Sequence, residues 1–372
     1  MTTMSNTGTH FMKLREWFPH DKVHWWALCY NPNAISLLEK NLDKMTGISY
    51  WLLLTLKNPN AIPILEKNLD KVCLSWLSGN PNAIPILEKN LDKMTTTECW
   101  ENLSGNPNAI HILEKNLDKV GWVGLSRNPN AIHLIEQNMD KMTTECWYYL
   151  SGNPNAIHLL EKNMDKVNWR SLSGNPNAIH LIEQNLDKVN WCYLSSNPNA
   201  IHILEKNLDK VTLYHLSGNP NAIPILEKNL NKVDWKRLSE DPNVIHILEK
   251  NLDKVNWRTL SQNPNAIPIL EKNLNKVDWD GLAQNPNAIH LLEKNLDKVN
   301  WCYLSKNPNI FTYDYKAIKT KMYKPDGIAK ELMKNRFHPR NLYKFKGWGF
   351  GYDDDDDDDI IEYDTYEEWL KH

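Results

Sequence analysis

Residues 175–196, NPNAIHLIEQNLDKVNWCYLSS, show how apolar and polar positions alternate through most of this chain. Ala178, Ile179, Leu181, Ile182, Leu186 and Val189 follow the three-and-four spacing of one helical face. Trp191 and Leu194, three apart, mark one face of a second, shorter helix. The Asn-Pro that follows ends it, because a residue before proline is pushed out of the α region. The pattern therefore predicts a first helix of about ten residues, a tight corner and a second helix of about six.

This unit recurs. Asn-Pro-Asn, once Asp-Pro-Asn, begins at 31, 58, 80, 106, 128, 153, 175, 197, 219, 241, 263, 285 and 307. Successive spacings are 27, 22, 26, 22 and 25, then 22 to the end, giving twelve units and the start of a thirteenth. Numbering each unit from its first Asn, the longer ones carry their extra residues after position 15, as in MTTTECW at 94–100. Insertions confined to one point mark a surface loop or an extended helix start.

Local chemistry refines the register. Position 6 is His, Ser or Pro, and Pro63, Pro85, Pro224 and Pro268 fit only a first turn, whose N–H groups are unpaired anyway. That predicts the Asn at position 3 as the N-cap of the first helix. Asn168, Asn190, Thr212, Asp234, Asn256, Asp278 and Asn300, at position 16, are predicted caps of the second. A leucine-rich repeat is the competing reading and fits poorly: its central Leu falls where this chain has Arg170, Cys192, Lys236, Arg258 or Asp280. The apolar side chains of one unit cannot offset the entropy of ordering 22 residues, so units must stack. In VHWWALCY, Trp25 and Leu28 occupy the Trp and Leu positions, making residues 17–30 a half-unit expected to cap the N-terminal end.

Composition narrows the function. The formal net charge is −3, and the repeat body, 31–309, holds 29 Lys and Arg against 30 Asp and Glu. That excludes a protein built chiefly to cover a phosphate backbone. Mean hydropathy is −0.59 and no run of eighteen apolar residues occurs, so no membrane span is predicted. Residues 1–17 lack the apolar stretch of a secretory signal, and the expected location is intracellular. Six Cys without a CxxC predict neither disulfide framework nor zinc site.

Three columns invite a chemical reading. His111, His133, His158, His180, His202, His246 and His290 each precede a Glu by three residues, a spacing found in helical metal sites. The same Glu persists where position 6 is Pro or Ser, so the Glu is expected to balance the helix or pair with a neighbouring unit's Lys. The Asn at positions 1, 3 and 11 are expected to cap helix ends and bond stacked corners, and the Trp column to pack in the core. Positions 18, 19 and 22 change from unit to unit, and with 17 and 20 turned inward they are expected to face solvent. This stripe, represented by Arg170, Tyr193, His215, Lys236, Arg237, Arg258, Thr259, Asp280 and Tyr303, is the candidate binding surface.

The repeat stops at residue 310. From 316 to 346, ten basic residues face Asp326 and Glu331, a balance of +8, and two short helices around 315–322 and 326–336 are expected to cap the open apolar end. Seven consecutive Asp, 353–359, repel one another and are expected to be disordered.

The repeat form NPNAI-x-x-LE-x-N-x-x-K-x-x-W-x-x-LS, closing on Ile310-Phe311, Tyr313-Asp314-Tyr315 and FHPRN at 337–341, resembles the short-repeat proteins of large nucleocytoplasmic DNA viruses, the mimivirus and phycodnavirus relatives. The likeness spans residues 17–350 and implies a virus-encoded α-helical repeat protein acting in the host cytoplasm, with packaging in a virion compatible with it. It supplies no catalytic residues.

The expectation is an all-α solenoid of stacked helix-turn-helix units of about 22 residues with N- and C-terminal capping segments. Its parts are a poorly ordered 1–16, a capping half-unit at 17–30, the repeats at 31–309, a basic cap at 310–350 and an acidic tail at 351–372. It is expected to be a monomeric, non-enzymatic scaffold for a protein partner, with no metal, no cofactor and no membrane. A helical repeat that reads bases of a nucleic acid through positions 18 and 19 is the alternative.

Overall fold

The computed structural model describes residues 11–322. The predicted helix at 326–336, the rest of the basic cap beyond 322 and the acidic tail lie outside the described residues. Two compact bodies are present: Leu14–Phe311, and a second body to which the described residues 11–13 and 312–322 belong.

Leu14–Phe311 is the stack of paired short helices that the periodicity predicts. In the unit beginning at 175 they are Ile179–Glu183 and Trp191–Ser195. The first helix is half the predicted length, because Asn at position 11 ends it. Asn185 Nδ2 donates to Leu181 O at 3.0 Å, four residues back. The same bond recurs, for example Asn163 to Leu159 and Asn207 to Ile203. The following Leu-Asp-Lys turns are short 3₁₀ segments or plain turns, and their Leu is only half-buried or exposed, as at Leu186 and Leu208.

The cap of the first helix also differs from expectation. Asn at position 1, not position 3, closes the corner: Asn175 Oδ1 accepts from the Asn177 N–H at 3.0 Å. At 285 and 307 this cap opens a 3₁₀ turn with Pro as its first residue. The predicted second-helix caps are present. Asn168, Asn190, Asp234, Asn256, Asp278 and Asn300 accept N–H bonds from the first turn, whereas Thr212 makes no such bond. The insertions lengthen the second helix, to Ile48–Lys57, Thr97–Ser104 and Thr144–Gly152. Thr96 and Thr143 cap the latter two, and Lys57 is one further insertion, at the helix end.

The core runs along the stack. Ala at position 4, Leu or Ile at 7 and 8, Val or Met near 15 and Leu at 20 make it, with Ala178, Ile182 and Leu194 wholly buried. The Trp column behaves differently from expectation. Trp51, Trp100 and Trp147, in the extended helices, are buried, but those of the regular units are half-buried. There the Lys at position 14 of the following unit covers the ring, as Lys188 does over Trp169 at 5.2 Å and Lys276 over Trp257 at 5.3 Å.

The stack has no open end. Asn31 Nδ2 donates to Ser305 O at 3.1 Å and Asn307 O at 2.8 Å, the same pair of bonds that joins most consecutive corners. Asn33 Nδ2 donates to Pro308 O, and the His24 N–H donates to Ser305 Oγ. The expected N-terminal cap is thus corrected: Trp25–Leu28 packs on Trp301–Ser305 as one second helix packs on the next. Phe18 meets Trp301 edge-on at 5.3 Å, and the 3₁₀ turn His20–Lys22 stands where other units have Leu-Asp-Lys. The thirteenth unit is assembled from both ends of the repeat, and Leu14–Phe311 closes into a ring. Among the described residues, the repeat stack has no open apolar end of the kind the basic segment is expected to cap.

Residues 11–16, expected to be poorly ordered, contain strand β1 (Met12–Leu14), which pairs with β2 (Phe311–Tyr313). Arg15 N–H to Ile310 O and Asp314 N–H to Phe11 O make the pair antiparallel. In the second body, Asp314 Oδ1 accepts from the Ala317 N–H at the start of Tyr315–Met322, the helix expected at 315–322.

Candidate interaction surface

In a closed ring, the elements spaced more closely lie on the smaller circumference. Successive second helices pack backbone against backbone, whereas first helices meet their neighbours through side chains. Gly124 and Gly281, at position 19, show how close the inner packing is. A Cβ on Gly281 would stand 2.7 Å from Arg258 O, and one on Gly124 would collide with Glu101 O. The second helices therefore line the inside of the ring, the first helices the outside.

Two polar columns stitch the rungs. Asn175 Nδ2 donates to Ser151 O and Asn153 O of the preceding unit, and Asn177 Nδ2 donates to Pro154 O. The Ser at position 21, a column to which the sequence reading assigned no role, is buried throughout. Ser173 Oγ donates to Trp169 O at 2.6 Å and accepts from the Asn190 N–H at 2.9 Å, linking one unit to the next. Its signal was available: a small hydroxyl held beside an invariant buried Leu has to be paired within the fold.

The His column belongs to the outer rim. Each His meets the Glu of the preceding unit, not the Glu three residues on in its own: His180 to Glu161 at 2.7 Å, His202 to Glu183 at 2.7 Å, His290 to Glu271 at 2.8 Å. Where position 6 is Pro, a Lys at position 10 takes that Glu in several units, as Lys67 does with Glu39 and Lys272 with Glu249. These are half-exposed links between rungs, each worth a fraction of a kcal/mol. Among the described residues no group of three His, Cys, Asp or Glu is placed to hold a metal.

The expected stripe divides in two. Position 18 lies on the inner face: Arg170, Lys236 and Arg258 are exposed and Asp280 is half-buried. Position 19 sits in the seam between second helices, which corrects the expectation that it faces solvent. Tyr193, His215, Arg237 and Tyr303 are half-buried and Thr259 is buried, its Oγ1 donating to Lys236 O of the preceding unit at 3.1 Å. Position 22, with Arg127, Glu240 and Lys306, shares the inner face with position 18. Cations lie on aromatics across the rungs: Arg127 over Tyr149 at 3.8 Å, Arg170 over Tyr193 at 5.0 Å and Arg237 over Tyr214 at 4.1 Å. Lys306 covers Trp26, Tyr30 and Tyr303 at the closure.

Positions 18, 19 and 22 together hold six basic residues (Arg127, Arg170, Lys236, Arg237, Arg258, Lys306) and three acidic ones (Glu101, Glu240, Asp280). Trp26, Leu56 and Trp76, exposed on three consecutive rungs from the closure onward, make the adjoining arc apolar. Elsewhere, burial lifts the Cys29 thiol from 9.0 to about 12, which leaves it a neutral packing group. Among the described residues no helix is long and apolar enough to cross a membrane.

No family model matches the chain, and no curated protein or solved structure does.

Proposed function

We propose that the chain is a non-enzymatic binding ring whose inner face holds a protein segment. One observation carries this reading. Apart from position 6 on the outer rim, the side chains that differ most between otherwise repeated units lie on or beside the inner face, where they form an apolar arc beside a basic and aromatic one. A scaffold needs uniform corners and core, and those are uniform here; the fold places no such demand on position 18. Guanidinium groups already stacked on tyrosine present carboxylate-binding forks with little remaining freedom to lose, which suits an acidic, extended segment. The resemblance to short-repeat proteins of large DNA viruses belongs to this reading as well: the segment would come from a host or viral protein met inside an infected cell.

The test replaces Arg170, Lys236 and Arg258 together with Glu and compares the variant with one carrying Glu at the outer Lys115, Lys206 and Lys250. Both should keep the wild-type thermal midpoint within a few degrees. A discrete partner captured by the wild type and the outer variant, and lost by the inner variant, is the expected result. Equal capture by all three defeats the inner-face reading.

One observation favours a second reading. Cation–aromatic pairs spaced along a groove also suit a single-stranded nucleic acid. Glu101, Glu240 and Asp280 interrupt the basic track that a phosphate chain would follow. A gel shift with single-stranded oligonucleotides at low salt, abolished by the inner substitutions, would make this the better account.

A further inference from the structure

Twelve of the thirteen corners begin with Asn; the unit at 241 begins with Asp. The difference falls on a working atom. In a complete rung, the Asn at position 1 uses its amide oxygen to cap its own corner. Its amide nitrogen donates twice to the corner before it, as Asn219 does to Ser195 O at 3.0 Å and Asn197 O at 2.9 Å. Asp241 keeps the first function, accepting from the Asn243 N–H at 2.8 Å. It has no N–H for the second. Among the described residues, no side-chain hydrogen bond runs from this corner to Ser217 O or Asn219 O. The companion bond is missing too. Every other Asn at position 3 donates to the preceding Pro carbonyl, including Asn221 to Pro198 and Asn265 to Pro242, but Asn243 does not donate to Pro220.

A cavity of about 780 Å³ occupies this gap and opens on the inner face. Ser217, Pro220, Asp234, Glu240, Asp241 and Asn243 are among its walls. Lys236 and Arg237 also border it, but Arg237 is stacked on Tyr214 at 4.1 Å. Asp234 Oδ1 is engaged by the N–H groups of Lys236 and Arg237. Lys236, Arg237 and the Asn243 amide are donors on its walls, but among the described residues no side chain bonds Ser217 O, which at neighbouring corners takes a planar –NH₂ group.

We propose that this corner is a receptor for a guanidinium group, presented by an arginine side chain of a protein partner. A guanidinium restores what Asn would have given, N–H donors in a plane, here for the Ser217 residue on the cavity wall. It also carries the positive charge that the Asp241 carboxylate, unlike an amide, can neutralise. An ammonium group supplies the charge without the planar fork. The arginine enters from the ring interior, so the site reads one residue of whatever occupies the inner face. Its recognition chemistry stands apart from Arg170 and Arg258, while Lys236 borders it.

The experiment titrates the full chain at constant ionic strength with four probes: Nα-acetyl-arginine amide, Nα-acetyl-lysine amide, Nα-acetyl-glutamine amide and agmatine. Isothermal calorimetry reads affinity and stoichiometry. The arginine amide should bind saturably at one per chain, and the lysine and glutamine amides at least tenfold more weakly. Agmatine matching the arginine amide would assign the site to free guanidino compounds rather than a protein side chain, overturning the partner half of the proposal. Asp241→Asn should lower arginine-amide affinity at least tenfold while raising the thermal midpoint. Asn263→Asp, which breaks the next rung in the same way, should raise the stoichiometry to two. Identical titrations of wild type and Asp241→Asn, equal affinity for arginine and lysine amides, or no saturable binding would each overturn it. A double variant, Arg170→Glu with Arg258→Glu, which spares the cavity wall, should keep the one arginine-amide site even where it loses the captured partner, so the two readings fail separately.

Discussion

Two junctions of the ring invert the usual relation between chain continuity and contact. The rung from 307 to 31 joins residues nearly three hundred positions apart, yet it carries the full set: two bonds from Asn31, one from Asn33, the His24 bond to Ser305 and Arg15 Nε to Asn309 O. The rung from 219 to 241 is covalently continuous. It keeps the Asp234 N–H bond to Ser217 Oγ and the Arg237–Tyr214 stack, but loses all three corner bonds. A covalent tether can tolerate a slack interface, because the chain holds the two units at high effective concentration. A closure between chain ends has only its contacts, so it cannot.

The comparison can be broken in descending order of effect. Leu28 and Leu216 hold the same position in the closing and slack rungs and are equally buried. Leu→Ala at either should cost about 2–5 kcal/mol, with the larger loss at Leu28, where the slack rung's freedom to relax is absent. Chemical denaturation of both variants checks this, and a larger loss at Leu216 would refute the ranking. Asn31→Ala removes two buried cross-rung hydrogen bonds and the corner cap on the Asn33 N–H, for an expected loss of about 3 kcal/mol. The same change at Asp241 should cost less, about 1 kcal/mol, since it removes the corner cap on the Asn243 N–H but no cross-rung bond. Asp241→Asn carries the opposite sign and should stabilise by about 1–2 kcal/mol as the missing pair forms.

Cys29 reports on closure directly. It occupies the Ser position of the closing rung and donates to Trp25 O. With its thiol held near 12, against 9.0 when exposed, the folded ring keeps a proton that the unfolded chain releases above about pH 9. Its contribution is therefore whole below pH 9 and falls as pH rises toward 12. In iodoacetamide labelling near pH 8, Cys73, which is exposed, should react while Cys29 stays protected until the ring opens. Rapid labelling of Cys29 in the native state would contradict a tight closure. At the small end, His180→Ala removes a half-exposed link and should shift stability by no more than about 0.5 kcal/mol.

Particular residues show where sequence reasoning reached and where it stopped. The helix pair, the second-helix caps at Asn168 and Asp234 and the half-unit around Trp25 and Leu28 were all legible, because each depends on neighbours within a few positions. The partner of His180 was not. Glu183, three residues on, and Glu161, nineteen back, are equally plausible from spacing alone, and only stacking chooses Glu161. Position 19 was misread for a similar reason. A single helix leaves it outward, and the next second helix then covers it, as Thr259 shows.

Period and polarity in the chain itself determined that short paired rods must form and must stack, since one unit buries too little to persist alone. They equally marked 18, 19 and 22 as the positions free to vary. Tertiary structure alone decided that the stack meets itself. Closure depends on a small rotation per unit accumulated through thirteen of them, a quantity to which every side chain contributes and which no local pattern encodes. It also decided which face became the interior, and hence that one Asp among twelve Asn stands beside an open cavity there.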